Sequence, residues 1–245
     1  MPKFFAEKEN ITENSIVLDG EEAKHITKVL RMGVGDCITV CDGCGTDYEA
    51  EIESVEKNLL TAKILESSPS LSESRLRITL YQCLPKASKM EYVIQKCTEL
   101  GIFKIIPCIS DRCVVKLNSE ADEKKKVERW QAVAKAAAKQ SGRGIIPQIG
   151  MPVSFRAAIE EMRTQDLAFV PYENESGTTL KNVLRNSEDV TSAAFIIGPE
   201  GGFSEEEIAL ARKSGMESVS LGKRILRTET AAEVVLSMMN YEFEL

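Results

Sequence analysis

The stretch FIIGPEGGF, residues 195–203, says more about the fold than any other part of the chain. An apolar run ends in three glycines and a proline, and Ser204 with Glu207 forms a capping box that predicts a helix directly afterwards. Glycines at a strand end let the backbone approach a ligand closely and expose its N–H groups. The stretch therefore predicts the carboxyl end of a strand in an α/β sheet, where ligands bind. A tight turn without a ligand is the alternative.

On both sides of this stretch, predicted strands alternate with predicted helices, which indicates a parallel sheet covered on both faces. The predicted strands are 77–84, 102–109, 145–150, 167–171, 193–199 and 218–222. The predicted helices are 86–100, 119–141, 155–163, 179–185, 204–215 and 228–241.

The first 66 residues have a different pattern. Short strands at 15–20, 37–43 and within 47–65 are separated by Gly and Asp turns, which favours a small β-barrel. A short helix is predicted at 21–31, with Ile26, Val29 and Leu30 on one apolar face. The Ser/Pro-rich stretch 67–74 is interpreted as the linker to the α/β part.

A second strand end resembles the first in its chemistry. The stretch LGKRILRTETAA, residues 221–232, passes from a predicted strand through Gly222 into a predicted helix. Thr228 is the predicted N-cap, with its hydroxyl on the backbone N–H of residue 230 or 231. Arg224 and Arg227 are either solvated loop charges or functional cations, and the presence of two such loops favours the functional reading.

Composition excludes several classes of protein. The chain has 245 residues, 43% of them hydrophobic and 28% charged, which predicts a folded globular protein. No apolar run reaches the roughly 18 residues of a membrane span, and the N-terminus lacks the apolar segment of a signal peptide. Seven cysteines without an export signal predict reduced thiols and a cytoplasmic location.

The net charge of -7 conceals a segregation. Residues 75–150 hold 15 basic and 7 acidic side chains, a net +8, whereas residues 1–72 and 151–245 are each at -7. Many of the basic residues lie on the helix predicted at 119–141. A nucleic-acid surface and an ordinary solvated helix face both explain such a pattern.

A cysteine cluster and the single histidine each have a functional interpretation and a simpler structural one. Cys37, Cys41 and Cys44 have the spacing of an iron–sulfur site, but Cys37 and Cys41 fall in an alternating strand and Asp42-Gly43 reads as a hairpin turn, so free thiols and no metal are predicted. His25, the only histidine, is either a base or, in the favoured interpretation, a structural residue.

Taken together, these pieces resemble the RsmE family of 16S ribosomal RNA methyltransferases, members of the SPOUT class. The matching stretches run through the whole chain: His25–Arg31 with Gly35-Asp36, Leu84–Lys86, Met90-Glu91, Gln95-Lys96, Thr98–Gly101, Ser110–Arg112, Arg129-Trp130, Ala137, Gln140–Arg143, Gly198–Gly202 and Leu226–Ala231. The chain has Asp111 where the family has Glu.

The resemblance implies an α/β protein with a small N-terminal PUA-like β-barrel at 1–70, which binds RNA, and a C-terminal SPOUT domain at 75–245 with a parallel sheet and a trefoil knot. It implies a homodimer that methylates N3 of a uridine in 16S ribosomal RNA of the small subunit, using S-adenosylmethionine. The implied cofactor-binding residues are Pro171, Tyr172, Ile197, Gly198, Pro199, Glu200, Gly201, Gly202, Leu221, Gly222, Leu226, Arg227, Thr228 and Ala231.

Roles for charged residues follow as hypotheses. Arg227 stabilises the developing uracil anion, and Glu229 or Glu200 orients groups or accepts the proton. The predicted RNA contacts are Lys24, Lys28, Arg31, Lys86, Lys89, Arg112 and Arg143. Two alternatives stay open: a SPOUT enzyme with another target, such as a ribose 2′-hydroxyl, and an RNA-binding protein without catalysis.

Overall fold

The structure, a computed structural model, describes residues 3–117 and 119–244. The chain forms two compact units. The first holds the residues up to Glu73 together with Ala138–Ile146, and the second holds Ser74–Ala137 and the chain from Pro147 onward. Within the described ranges, no helix is both long and apolar enough to cross a membrane.

The first unit is built on a five-stranded sheet with the order β1-β3-β4-β5-β2. Its strands are β1 (Lys3–Phe5), β2 (Ser15–Asp19), β3 (Cys37–Cys41), β4 (Thr46–Glu56) and β5 (Leu59–Pro69). Strands β1 and β3 are parallel and the other pairs antiparallel. The predicted alternation within 47–65 is a hairpin of two long strands. Alternate residues such as Ile38, Val40, Ile52 and Leu60 are fully buried in the core.

The predicted helix at 21–31 is irregular. Helix α1 (Gly20–Lys24) passes into a π-helical turn, His25–Val29, in which the Leu30 N–H donates to the His25 carbonyl at 3.0 Å. Five-residue spacing widens the turn, so side chains no longer follow the i, i+3, i+4 register. The predicted apolar face is therefore wrong: Ile26 is buried, whereas Val29 is 67% and Leu30 38% exposed.

The interpretation of 67–74 as a linker is wrong in its first part. Strand β5 runs to Pro69, and Ser67 and Ser68 pair with β4. The rest of the stretch is an anchor for the first unit, because Glu73 Oε1 accepts hydrogen bonds from the backbone N–H groups of Gly144 (2.7 Å) and Ile145 (3.0 Å).

The second unit contains an all-parallel sheet with the strand order β12-β10-β11-β6-β7-β8, in which β9 also pairs with β7. The strands are β6 (Arg77–Cys83), β7 (Lys104–Ile109), β8 (Gln148–Ile149), β9 (Val153–Ser154), β10 (Leu167–Pro171), β11 (Ser192–Ile197) and β12 (Glu217–Val219). The helices are α2 (Lys89–Glu99), α3 (Glu120–Ser141), α4 (Phe155–Met162), α5 (Leu180–Arg185), α6 (Glu205–Lys213) and α7 (Thr228–Phe243).

Both faces of this sheet are buried, as the strand–helix alternation predicts. Along β11, Phe195 packs into a cluster with α2 and α7, and Ile196 packs into a second cluster with α4 and α6. Burial of each such side chain contributes about 1.5–3 kcal/mol. The predicted α/β fold class, with a small N-terminal β unit and a C-terminal parallel sheet, is confirmed, while the knot stays a prediction.

One predicted helix start moves for a local reason, and another is confirmed. The helix predicted from residue 86 begins at Lys89, because Ala87 has a left-handed backbone (φ +56°) that a helix cannot include. The capping box at Ser204 is confirmed: the Ser204 hydroxyl accepts from the Glu207 N–H at 3.2 Å, and the Glu207 carboxylate accepts from the Ser204 N–H at 2.9 Å.

Candidate functional site

A cavity of about 370 Å³ lies in the second unit at the carboxyl ends of β10, β11 and β12. The strands are neighbours and parallel, so the loops that follow them meet at one edge of the sheet. Every predicted cofactor-binding residue except Gly201 lines this cavity. The cavity size falls in the range of about 300–1,000 Å³ found for small-molecule sites.

The loop after β11 is packed against its neighbours. Pro199 to Gly202 form a tight turn closed by the Gly202 N–H donating to the Pro199 carbonyl at 2.9 Å. Arg112 donates from Nη1 to the Gly201 carbonyl at 2.9 Å, and the Ser204 hydroxyl donates to the Asp111 carboxylate at 2.9 Å. A Cβ at Gly201 would lie only 3.2 Å from Cβ of Arg112. The glycines thus allow the close packing that gives the cavity its shape.

Thr228 does not cap α7, and that prediction is wrong. The N-cap position is Arg227, whose side chain makes no capping hydrogen bond. The buried Thr228 hydroxyl instead donates to the Gly198 carbonyl at 2.7 Å and accepts from Nε2 of Gln82 at 2.9 Å. One hydroxyl therefore ties the ends of β6 and β11 to the start of α7. The Oε1 atom of Gln82 is buried and has no hydrogen-bond partner among the described residues.

Lys89 joins two carboxylates at the edge of the cavity. Its Nζ lies 3.0 Å from Oε1 of Glu200 and 3.4 Å from Oε2 of Glu229. Burial acts to raise the pKa of Glu200, but hydrogen bonds from its own backbone N–H, from Lys89 and from the Lys86 N–H outweigh it, so the pKa lies below its usual value. The bond to Glu200 raises the pKa of Lys89. Lys89, predicted as an RNA contact, is thus an internal ion-pair partner here.

The loop after β10 brings two more carboxylates to the site. The Tyr172 N–H donates to the Val219 carbonyl at 2.9 Å, which fixes the start of the loop. Glu175 accepts hydrogen bonds from the Ser218 hydroxyl, from the Gly177 N–H and from Arg212, and these lower its pKa to about 2. Glu173 lines the cavity itself.

The loop after β12 is largely exposed to solvent. Lys223, Arg224, Ile225 and Arg227 are all exposed, Ile225 to 84%. All four also line the cavity. In the described part of the chain, no carboxylate pairs with the Arg227 guanidinium, so this cation is available to a ligand. Its position matches the role predicted for it, and the role itself stays a prediction.

The remaining cations predicted to contact RNA differ in exposure. Lys24, Lys28 and Arg31 are exposed in the first unit, and Lys86 is exposed in the second. Arg143 is only 4% exposed and pairs with Glu73 at 2.6 Å. A guanidinium held in this way would have to leave its partner to reach a phosphate, and burial therefore argues against a phosphate contact for Arg143.

The basic helix is less available than its composition suggests. On α3, Lys124 pairs with Glu120 and Lys126 with Asp122, and Arg129 reaches Glu91 on α2 at 2.6 Å. Acidic residues one turn away or on the neighbouring helix thus pair with three of the 15 basic side chains of the +8 segment. The sequence could not show this, because the Arg129–Glu91 pair depends on tertiary packing.

The environments of Cys37, Cys41, Cys44 and His25 can be compared with their predicted roles. Cys41 is buried and donates to the Gly144 carbonyl at 2.9 Å, whereas Cys37 and Cys44 are exposed. His25 makes an edge-to-face contact with Phe4, with ring centroids 5.9 Å apart. Among the residues that the structure describes, no three His, Cys, Asp or Glu side chains are arranged to hold a metal ion.

Sequence reasoning missed several residues that line the cavity or support it. The missed lining residues are Glu173, Phe203, Ser220, Lys223 and Ile225. All are chain neighbours of predicted ones, so extending each motif by a few positions would have found them. Gln82 had no local signal, because its role depends on Thr228, 146 positions further along the chain.

The sequence matches two protein-family models, both of RNA methyltransferases. Residues 72–240 match the family model described as the RNA methyltransferase domain, and residues 18–65 match the one described as the RNA methyltransferase PUA domain. The first of these matches spans well over half of the chain.

Three relatives that match over nearly the whole chain identify a narrower group among the RNA methyltransferases. Ribosomal RNA small subunit methyltransferase E of Bacillus subtilis is 35% identical, with 100% of this chain and 98% of that protein covered. The enzyme of the same name from Neisseria gonorrhoeae, solved bound to S-adenosylmethionine, is 32% identical with a TM-score of 0.84, covering 98% and 97% of the two chains. A Legionella pneumophila methyltransferase solved with the same cofactor is 34% identical, with a TM-score of 0.82 and the same coverage.

This chain belongs to the ribosomal RNA small subunit methyltransferase E family. The resemblance stated from the sequence motifs is thereby confirmed.

Proposed function

We propose that this chain transfers a methyl group from S-adenosylmethionine to N3 of a uridine in 16S ribosomal RNA of the small subunit. The observation that carries the proposal is the cavity at three adjoining strand ends, lined by the Arg227 guanidinium, which has no carboxylate partner among the described residues. The PUA-like residues 1–70 would help to hold the RNA, and residues 75–245 would carry out the transfer.

The cavity fits such a cofactor in size and chemistry. Apolar side chains, among them Ile197, Leu221 and Leu226, offer a surface for an adenine ring, and the strand-end backbone offers hydrogen-bonding groups for the polar parts. The glycine loop leaves space that side chains would fill, since a Cβ at Gly198 would lie 3.3 Å from the Phe203 ring. When bound, the cofactor supplies an electrophilic methyl group on a sulfonium.

The chain's own residues then have to make uracil N3 reactive. N3 carries a proton and lies on the base-pairing edge, so the target base must be unpaired and turned into the site. Arg227 is placed at the cavity edge, where its cation would stabilise the negative charge that develops on the base as the proton leaves. Holding base and methyl donor in line supplies the rest of the rate enhancement.

Of the two candidate proton acceptors, Glu229 is the better one. Glu200 has a lowered pKa and accepts three hydrogen bonds, so it is a weak base. Glu229 follows Thr228, which lines the cavity, and its buried Oε2 atom lies 3.4 Å from Lys89 Nζ but accepts no hydrogen bond within the described ranges. Lys89 contacts both carboxylates, so its positive charge lies between them and would hold each in place.

Exposed cations in both units would bind the RNA backbone. Lys24, Lys28 and Arg31 surround the π-helical turn of the first unit, and Lys86 lies beside the glycine loop of the second. Such contacts make binding weaken as salt concentration rises. We place the enzyme in the cytoplasm as a homodimer. The free cysteines of the described chain suit a reducing compartment.

The direct test is incubation with labelled S-adenosylmethionine and small ribosomal subunits from cells that lack this protein, followed by mass spectrometry of the labelled nucleotide. Label on uridine N3 of 16S RNA is the expected result. Label on a ribose 2′-hydroxyl would replace the proposed target, and absence of both label and cofactor binding would leave an RNA-binding protein.

Arg227→Ala tests the catalytic assignment. Loss of a preorganised cation at the developing charge should lower kcat by about 10²–10³-fold, with cofactor affinity by calorimetry little changed. Arg227→Lys keeps the charge and should retain more of the rate. Wild-type kcat in Arg227→Ala, with normal cofactor binding, would refute the role.

A further inference from the structure

Two carboxylates line the cavity, and they differ in their partners. Glu200 accepts hydrogen bonds from Lys89 at 3.0 Å and from the Lys86 N–H at 3.1 Å, so its charge is balanced within the protein. Glu173 has neither a cation nor a hydrogen-bond donor as a partner in the part of the chain that the structure describes. It is therefore the cavity carboxylate whose charge is left for a ligand to balance.

The position of Glu173 is set by its neighbours. Tyr172 before it is pinned to Val219, and Glu175 after it is held by Ser218 and Arg212. Its Oε1 lies 2.9 Å from the place that a Cβ on Gly202 would occupy. The exposed Glu173 carboxylate thus lies beside the glycine turn, and the cationic loop that carries Arg224 and Arg227 lines the same cavity.

Glu173 is exposed, so water solvates its charge until a ligand covers it. A cationic group that binds in the cavity would displace part of that water and so strengthen its Coulomb attraction to the carboxylate. The proposed cofactor has two cationic groups, an ammonium and a sulfonium. Loss of the methyl group turns the sulfonium into a neutral thioether, so a carboxylate near it would also distinguish the donor from the product.

We propose that Glu173 recognises a cationic group of the cofactor and helps to set the affinity of the site. This inference rests on the proposed function, because it takes S-adenosylmethionine as the ligand. Glu173 acts by binding and has no part in moving the proton. It was absent from the residues predicted to bind the cofactor.

The test is Glu173→Gln, which keeps the size of the side chain and removes its charge. Affinities are measured by calorimetry for S-adenosylmethionine, for S-adenosylhomocysteine, which lacks the sulfonium, and for 5′-methylthioadenosine, which lacks both cations. We expect S-adenosylmethionine to bind about tenfold more weakly and 5′-methylthioadenosine to bind unchanged. Equal losses for the first two ligands would identify the ammonium, and a loss confined to S-adenosylmethionine would identify the sulfonium.

Two results would overturn the inference. One is unchanged affinity for all three ligands. The other is an equal loss for all three, which would assign the carboxylate to the nucleoside or to loop shape. Glu188→Gln, at an exposed position of the same unit, is the matched control for loss of one negative charge. Failure of the wild-type protein to bind any of the ligands would instead refute the proposed function, so the two failures are distinguishable.

Discussion

The two glycine-containing loops that line the cavity differ in how firmly they are held. The braced loop, residues 198–204, is bonded to Arg112, Asp111, Lys89 and Thr228. The open loop, residues 220–227, exposes most of its side chains, and a Cβ added at Gly222 would meet no atom within 4 Å. A pocket for a small ligand needs fixed walls, whereas a surface for RNA needs exposed cations. The cavity combines one loop of each kind.

The largest effect is expected from cutting a bond that braces the first loop. Thr228→Val keeps the shape of the side chain but removes the hydroxyl that donates to the Gly198 carbonyl. The Gln82 amide loses one of its two acceptors and keeps the Cys83 carbonyl. Each buried polar group left unsatisfied costs about 1–3 kcal/mol. Thermal denaturation should show a Tm lower by roughly 2–12 °C, at about 2–4 °C per kcal/mol for a chain of this size.

Thr230→Val is the control for this change, since Thr230 is exposed on the same helix. Its Tm should stay near the wild-type value. If Thr228→Val were as stable as the control, the hydroxyl would not brace the loop and the contrast between the loops would fail.

A smaller effect is expected from crowding the braced loop. Gly202→Ala places a Cβ 2.9 Å from Oε1 of Glu173, at a left-handed backbone position (φ +68°). The strain costs about 1–2 kcal/mol, and Glu173 must move. Calorimetry should show S-adenosylmethionine binding weakened by about tenfold, the equivalent of 1.4 kcal/mol.

Gly222→Ala separates crowding from backbone strain. Gly222 also has a positive φ, of +112°, but no neighbour to meet. This variant should lose stability while keeping most of its cofactor affinity. Equal losses of affinity in the two variants would show that the open loop is as closely shaped to the cofactor as the braced one.

The smallest effect is expected from the open loop itself. Arg224→Ala removes an exposed cation that lines the cavity without a carboxylate partner in the described residues. RNA affinity should fall only a few-fold, but the slope of log affinity against log salt should become shallower by about 0.7–0.9, as one phosphate contact is lost. Lys213→Ala, which removes a cation at the end of α6 away from the cavity lining, is the control. An unchanged slope in Arg224→Ala would exclude the contact.

The sequence predicted the parts of the site that depend on local chemistry. Glycines at strand ends and the Ser204–Glu207 capping box are readable because their causes lie within a few residues. The role of Thr228 was misread, because its hydroxyl bonds to partners 30 and 146 positions away. A capping threonine and one that links two strands look the same in a sequence.

The sequence predicted the exposure and pairing of cations less well than it predicted the glycine turns and the capping box. The composition of α3 suggested a basic surface, but Arg129 is paired with a carboxylate of another helix. Arg143 is also paired, with Glu73, but it is buried whereas Arg129 stays largely exposed. Whether a cation faces solvent or a carboxylate depends on packing, whereas Lys24, Lys28 and Arg31 stayed exposed where a wide helical turn lifts them from the core.

The distribution of the thiols makes the protein a convenient subject for fluorescence. Burial raises the pKa of Cys41 to about 12 and that of Cys97 still higher, and both side chains are inaccessible. Cys37 and Cys44 are the exposed cysteines of the described chain, and both belong to the first unit. A maleimide dye should therefore attach to the first unit, for which RNA binding is proposed, without any engineered cysteine. Its fluorescence would then test RNA binding independently of methyl transfer.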